Sequence, residues 1–560
     1  MTVTRNALIN FRIFNIVGGS DLININMTNL NITEGNDISG GGINVVGGDT
    51  IDLTNVTLTD VLVDSNTVTE SGGGINIAVA GISLLRTIVS NNISDDGLGG
   101  GSGGGMSVFA STVILEQATI TNNFTINNGG GIDSSLSTVS CLQVIISNNT
   151  GNIGGGVTLS ANTQFSSIDT TISDNTGNID GGGVNSVNSS MSFFDTTISN
   201  NTAANDGGGI YTITSPLVAT NVTISGNSSV NDGGGMYVIG QLSTLRNVTV
   251  SNNLTNNGDG GGIFIQLAPG EFNVNIGNTI VAGNIALTSI EIDVSGDFLS
   301  AGNNLIGDGT GSTGFTNGVN GDQVGSTGNP IDPMLGPLGN YGGLTETMAL
   351  LAGSPAINTG SNALDVSDNF DQRGPPFIRI FPIGGIIDIG AFEFQPTVIC
   401  YSGKSKILSK NTLTGDINEI NAEDIFAGVY EVYDMTSECF VPVKLNIVSG
   451  FVNRFMLIKK DALGLNQPNE DFYVTSGHIL MIDGEEIKAR RVPQAKRIKV
   501  KPQKVYSICT DQRCPIMVNG LSVMAWGYDK WIAYSRKQGI SWINNKLIKQ
   551  NNNNFCVDCI

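Results

Sequence analysis

One of the 560 residues is a histidine, His478, and it stands in the stretch FYVTSGHIL (472–480), three residues after Thr475. Imidazole gives and takes a proton near neutral pH, so a single copy beside a threonine hydroxyl could serve as acid and base at one bond. A lone histidine among Val, Ile and Leu is more often a satisfied core residue, and the stretch by itself leaves both readings open. The other reactive groups are cysteines and acids. Cys141 is the one cysteine of residues 1–399, whereas Cys400, Cys439, Cys509, Cys514, Cys556 and Cys559 crowd the remainder. One cysteine in so long a stretch excludes a disulfide-stapled scaffold. CVDC at 556–559 could join Cys509 and Cys514 in a zinc site, but the wide spacing and missing histidine weigh against it, and no metal or cofactor is expected. Asp180, Asp206, Asp232 and Asp259 recur beside glycines, which suits a solvated turn better than an acid/base pair.

The elements that must position these groups fall into two halves. Residues 1–399 contain six arginines, no lysine and 32 acids, a net charge of −26; residues 400–560 carry 21 basic residues and 16 acids, a net charge of +5. The acidic half could neutralise few phosphates, so nucleic acid is not an expected partner. The N-terminal residues MTVTRNALINFRIFNIVGG lack the apolar run and cleavage pattern of a signal peptide, and no run of eighteen apolar residues predicts a membrane span.

With 75 glycines and only 13% charged residues, the chain must turn often. The segments TTISDNTGNIDGGGV (170–184), TTISNNTAANDGGGI (196–210) and VTISGNSSVNDGGGM (222–236) lie under one another, and glycine triplets begin at 40, 72, 103, 129, 154, 181, 207, 233 and 260. Asn92, Asn123, Asn149, Asn175, Asn201, Asn227 and Asn253 keep the same phase. Each period of about 26 residues holds short β-branched runs between Asn/Gly/Asp turns and has no helical pattern. One unit cannot bury its own apolar face, so units must stack, with strands ~4.8 Å apart, into a right-handed parallel β-helix with an asparagine ladder. These repeats resemble those of polymorphic outer-membrane proteins and related β-helical surface proteins. NTIVAGN, AGNNLIGDG, DQRGPP and DIGAFEF, within 278–394, resemble the region that closes such helices. Residues 1–285 are therefore expected to form the coils and 286–396 the last coils with a cap. Without Lys or His, and with scattered arginines, the helix reads as a structural or adhesive shaft that meets a glycan or host surface. A polysaccharide-degrading β-helix is the less favoured alternative. Asn-x-Ser/Thr sequons abound, but the ladder itself generates them.

Composition changes at FQPTVICYSGKSKIL, and three blocks follow in order: CYSGKSKIL (400–408), FYVTSGHIL (472–480) and VYSICTDQRCPIMVNGLSV (505–523). Together they resemble a Hint (hedgehog/intein) domain, the self-cleaving β-fold, over 397–527, and in texture resemble Hint domains encoded by giant DNA viruses. The fold class expected is thus all-β, a right-handed parallel β-helix followed by a Hint-type domain. Cys400 fits the family's junction cysteine, Thr475 and His478 its T-x-x-H, and Val505, Tyr506, Asn519 and Gly520 its third block.

The resemblance implies specific chemistry. The Cys400 thiol attacks the carbonyl of Ile399, His478 protonates the leaving amine, and Thr475 orients the junction or holds the oxyanion. Aligned on Asn519–Gly520, Met524, Ala525 and Trp526 occupy the positions where inteins carry His, Asn and the next nucleophile, so splicing is not expected. The expected outcome is cleavage at Ile399–Cys400, with the shaft released or passed to an acceptor that is water, a lipid or a thiol. Asp461 and Asp471 are candidates for activating that acceptor. Within the amphipathic, Asn-rich tail 528–560, residues 528–549, with Tyr528, Trp531, Ile532, Tyr534 and Trp542, are expected to form a helix that covers the Hint barrel or binds a lipid acceptor. The alternative is a purely structural or adhesive protein with an inactive Hint relic. Exposure on a virion or another surface is the expected location.

Overall fold

The computed structural model describes residues 1–4, 12–19, 21–48, 54–95, 97, 100–266, 274–351, 353–367, 369–375, 377–380, 385–395, 401–527, 542–543 and 546–547. Two compact units make up the chain, one of Met1–Arg379 with Ile387–Phe394 and one of Ile380–Ile386 with Gln395–Ile560. In both, nearly all of the regular secondary structure is strand.

In the first unit most periods yield the same four strands, the second and third being fused into one in Leu217–Ser225 and Ser243–Ser251. One coil runs Ile132–Ser135, Thr138–Leu142, Ile145–Ser147 and Thr150–Gly151; the next runs Val157–Ser160, Gln164–Ile168, Thr171–Ser173 and Thr176–Gly177. Each strand pairs in parallel with its counterpart one period later, with Ile132 opposite Val157, Val139 opposite Phe165 and Ile146 opposite Ile172. Among the described residues this repetition builds a parallel sheet of 33 strands and a second of ten, consistent with a parallel β-helix. Alternate residues point inward, and Ile132, Val139, Ile146, Val157 and Ile172 are wholly buried in one continuous apolar core.

The glycine triplets mark the tightest contact between coils. Gly207 has φ +65°, and a Cβ on Gly208 would lie 2.5 Å from the Gly234 carbonyl oxygen of the next coil. The first position needs a left-handed backbone and the next has no room for a side chain. The phased asparagines form an interior column of nine, from Asn66 to Asn284. Asn175 is typical: its Oδ1 accepts the backbone N–H and the Nδ2–H of Asn149, each at 3.0 Å, and its Nδ2 donates to Asn201 Oδ1 at 2.9 Å and to the Ile146 carbonyl. The column ends on Asp293, whose Oδ1 accepts both donors of Asn284. Burial pushes the Asp293 carboxyl up to about 6.

Beside this column runs a second one that a solvated turn does not describe. Asp180, Asp206 and Asp232 each accept the backbone N–H of the next coil's aspartate through Oδ1, at 3.3, 2.9 and 2.8 Å, and are half-buried. Stacking at one coil per step draws the carboxylates together, and burial, then the neighbouring Asp232 and Asp180 charges, raise Asp206 to about 6.

Within the same unit, the segment containing DQRGPP lies on the outside of the coils. Gln372 is wholly buried; its Nε2 donates to Thr197 Oγ1 at 3.0 Å and its Oε1 accepts from Thr223 Oγ1 at 2.5 Å. Arg373 is ion-paired with Asp371 and stacked between the Phe377 and Phe392 rings, 3.8 Å from each centroid. Among the described residues no helix is long and apolar enough to cross a membrane.

The second unit has no 26-residue period. Its principal sheet is mostly antiparallel, and the long strands Cys439–Ile458 and Lys496–Thr510 pair along most of their length. Its own core includes Tyr401, Ile407, Phe472, Val474, Leu480, Ile508 and Val523. In the tail, Trp542–Ile543 pairs antiparallel with Lys546–Leu547, a short hairpin where a helix was expected; aromatic and β-branched residues on either side of an Asn-Asn pair favour that outcome. Residues 528–541 and 548–560, with Tyr528, Trp531, Ile532 and Tyr534, lie outside the described residues.

Candidate functional site

Three strands carry the three sequence blocks, and they meet at Tyr401. Tyr401–Ser402 pairs antiparallel with Phe472–Val474 on one side, Tyr401 opposite Val474, and with the strand through Tyr506 on the other, Tyr401 opposite Tyr506. Blocks whose paired residues lie 73 and 105 positions apart in the chain thus become adjacent. Ile399 and Cys400 lie outside the described residues; Cys400 is joined covalently to Tyr401.

Beyond Val474 the chain turns. The His478 N–H donates to the Thr475 carbonyl at 3.1 Å, closing a four-residue β-turn that brings the two Cα atoms within ~7 Å. His478 is wholly buried and Thr475 is 5% exposed. The Tyr401 ring lies against the imidazole, with centroids 5.3 Å apart at 51°. The Tyr401 hydroxyl in turn accepts the Ile508 N–H at 3.1 Å. Two backbone bonds hold the turn from behind: Ala489 N–H to the His478 carbonyl at 2.7 Å, and Arg490 N–H to the Ser476 carbonyl at 3.1 Å. Tyr401 was not singled out from the sequence, although its position directly after Cys400 was a usable signal.

Asn519, in the third block, has φ +50° and ties two elements together. Its N–H donates to the Lys406 carbonyl at 2.7 Å and its Oδ1 accepts the Lys406 N–H at 2.5 Å. Its place in the block is a structural one, clamping the strand that follows Tyr401.

The remaining candidates lie elsewhere. Asp471 opens the strand that leads to Thr475, ~13 Å away at 3.3 Å per residue. Lys459, 2.7 Å away, lowers its carboxyl below the usual range. Asp461 sits in the preceding turn, where its Oδ1 accepts the Asn466 N–H at 2.6 Å. Among the described residues the two carboxylates accept hydrogen bonds from Lys459, Lys460 and Asn466 and none from the Thr475–His478 turn. Met524 and Ala525 are buried at the end of strand Leu521–Met524, Ala525 donates its N–H to the Cys514 carbonyl at 2.8 Å, and Trp526 pairs with Cys509.

Cys509 and Cys514 are buried free thiols. Burial pushes Cys509 up to about 12 and raises Cys514 as well, so both stay protonated and poorly nucleophilic at neutral pH. Cys556 and Cys559 lie outside the described residues. Among the described residues no three His, Cys, Asp or Glu side chains are grouped to hold a metal ion. No protein-family model and no curated protein matches the chain.

Proposed function

We propose that this protein is a self-cleaving β-helical shaft. Its C-terminal unit acts as a Hint-type domain on the Ile399–Cys400 bond, and residues 1–399 form a right-handed coil with a structural or adhesive role. One observation carries the reading: Tyr401, the residue after the scissile bond, pairs with Val474, the residue before Thr475, and its ring rests on His478. That contact supports the reading because Cys400 is bonded directly to Tyr401.

In this reaction the Cys400 sulfur attacks the Ile399 carbonyl carbon and its proton is released. A C–S bond forms, the C–N bond breaks, and the freed amine of Cys400 gains its proton from His478. The thiol, with a reference value of ~8.5, is mostly protonated near neutrality, so its proton passes to solvent as the sulfur attacks. The Thr475 hydroxyl donates to the oxyanion. A second nucleophile then attacks the thioester and releases the shaft, free or joined to an acceptor at Ile399. Met524, Ala525 and Trp526 supply no imidazole, amide or nucleophile for a second junction, so the reaction stops at cleavage. The β-branched Ile399 hinders attack at its own carbonyl and makes the first step slow.

The test is the intact mass of the full chain and of Cys400→Ala, with and without dithiothreitol. A break at Ile399–Cys400 that thiol accelerates and the substitution abolishes supports the reading. A chain that stays whole under every condition sinks it, and leaves a structural shaft with an inactive C-terminal unit.

A further inference from the structure

The stretch that locks the Thr475–His478 turn from behind has an unusual charge. Residues 488–504, KARRVPQAKRIKVKPQK, hold eight basic residues and no acid. Its start is fixed to the turn: Lys488 pairs with Ile479, Ala489 bonds the His478 carbonyl and Arg490 bonds the Ser476 carbonyl. Lys488, Arg490 and Arg491 are exposed, and none forms an ion pair among the described residues. Farther along, Lys499 stands directly opposite Arg454, a like-charge pair that costs stability in a sheet. On the other flank of Tyr401, the Glu423 carboxylate lies over Gly403 beside the Tyr506 ring and opposes this field. Asp483 and Glu485, exposed at the far end of the hairpin that Lys488 closes, oppose it too, whereas Lys488, Arg490 and Arg491 stand at the turn itself.

Resting on the self-cleavage reading, we infer that the nucleophile which takes the shaft from the thioester is anionic, drawn in by Lys488, Arg490 and Arg491. Clustered charge of one sign raises the local concentration of the opposite sign and the rate of encounter, and salt removes the advantage. For a thiol acceptor the exchange is balanced. Its sulfur bonds the Ile399 carbonyl carbon, the C–S bond to Cys400 breaks, and the Cys400 sulfur leaves with the acceptor's proton.

The experiment uses the full chain and three thiols of similar size: 2-mercaptoethanesulfonate (anionic), 2-mercaptoethanol (neutral) and cysteamine (cationic). Each cleavage rate is divided by the thiolate concentration present. At low ionic strength the anionic thiol should exceed the neutral one by about tenfold, and cysteamine should be slowest. Salt well above physiological should compress the series. Arg490→Glu with Arg491→Glu should reverse the order; should that double variant misfold, Arg490→Gln alone should shrink the anionic-to-neutral ratio. Equal rates for all three thiols at low salt, or a preference that neither variant moves, overturn the inference while leaving self-cleavage intact. If no thiol cleaves the unaltered chain, the self-cleavage reading fails and this inference falls with it.

Discussion

Asn175 and His478 are both wholly buried polar residues, and the contrast between them separates the two units. Asn175 is one of a column, and each of its side-chain hydrogen bonds is made to its own counterpart or to a residue of the coil before it. A polar side chain repeated at each period is there to hold the stack. His478 has no counterpart anywhere in the chain, sits in a turn fixed from three sides, and faces the ring that follows the candidate junction. Burial alone does not distinguish the two residues; repetition does.

The contrast can be broken by substitution. The largest effect is expected at the single site. Cys400→Ala should abolish fragment formation, and His478→Ala should slow it by about 10²–10⁴, measured as the rate at which the 1–399 fragment accumulates. Thr475→Val should cost about 10² if its hydroxyl serves the oxyanion. A thiol-cleavage rate unchanged by His478→Ala would make that residue ordinary core.

Next comes the repeated site. Asn175→Ala strips the acceptor from two donors of Asn149 and the donor from the Ile146 carbonyl. At ~1–3 kcal/mol for each buried group left unpaired, the loss should be several kcal/mol, read from denaturant unfolding of the 1–399 fragment. The same substitution should leave the cleavage rate of the full chain nearly unchanged. A large fall in that rate would mean the two units are not energetically separate.

A smaller effect lies in pH. Burial raises Asp133 and Asp388 to about 7, and Asp206 and Asp293 to about 6. Their unfolded values lie near ~3.9. The native state therefore binds more protons between those limits. The stability these groups lend is fully present below ~4 and is lost as pH rises through 6 to 7. The melting temperature of the shaft should fall from pH 5 to pH 7.5, while thioester formation should quicken over the same range as thiolate grows. Parallel trends would refute one of the two assignments. Smallest of all, Asp461→Asn and Asp471→Asn should change cleavage less than about twofold, since each carboxylate is engaged in its own turn or with Lys459.

Much of the first unit was legible because repetition writes the fold several times over. The triplet at 207–209 and the phase of Asn175 and Asn201 fix turn and column together. The half-burial of Asp206 was not legible, since a turn aspartate reads as solvated until the coil above is in place. Gln372 was missed for a related reason: DQRGPP resembles a closing segment, but nothing local says its amide reaches Thr197 and Thr223, 175 and 149 residues earlier. In the second unit, Thr475 and His478 were legible as a pair. Their proximity to Tyr401 depends on antiparallel pairing across more than seventy residues, which no local pattern encodes.

The asparagine column also has a direction. From Asn66 to Asn284 each side-chain amide donates to the next higher asparagine, so the small dipoles of the column point the same way and add. Their positive ends all face the coil that carries Asp293, whose carboxylate receives the last two donors. The interior of the shaft is thus electrically polar from one end to the other, with an anion seated at its positive pole. Reversing the order of the coils would leave the apolar core much as it is and put that anion at the wrong end.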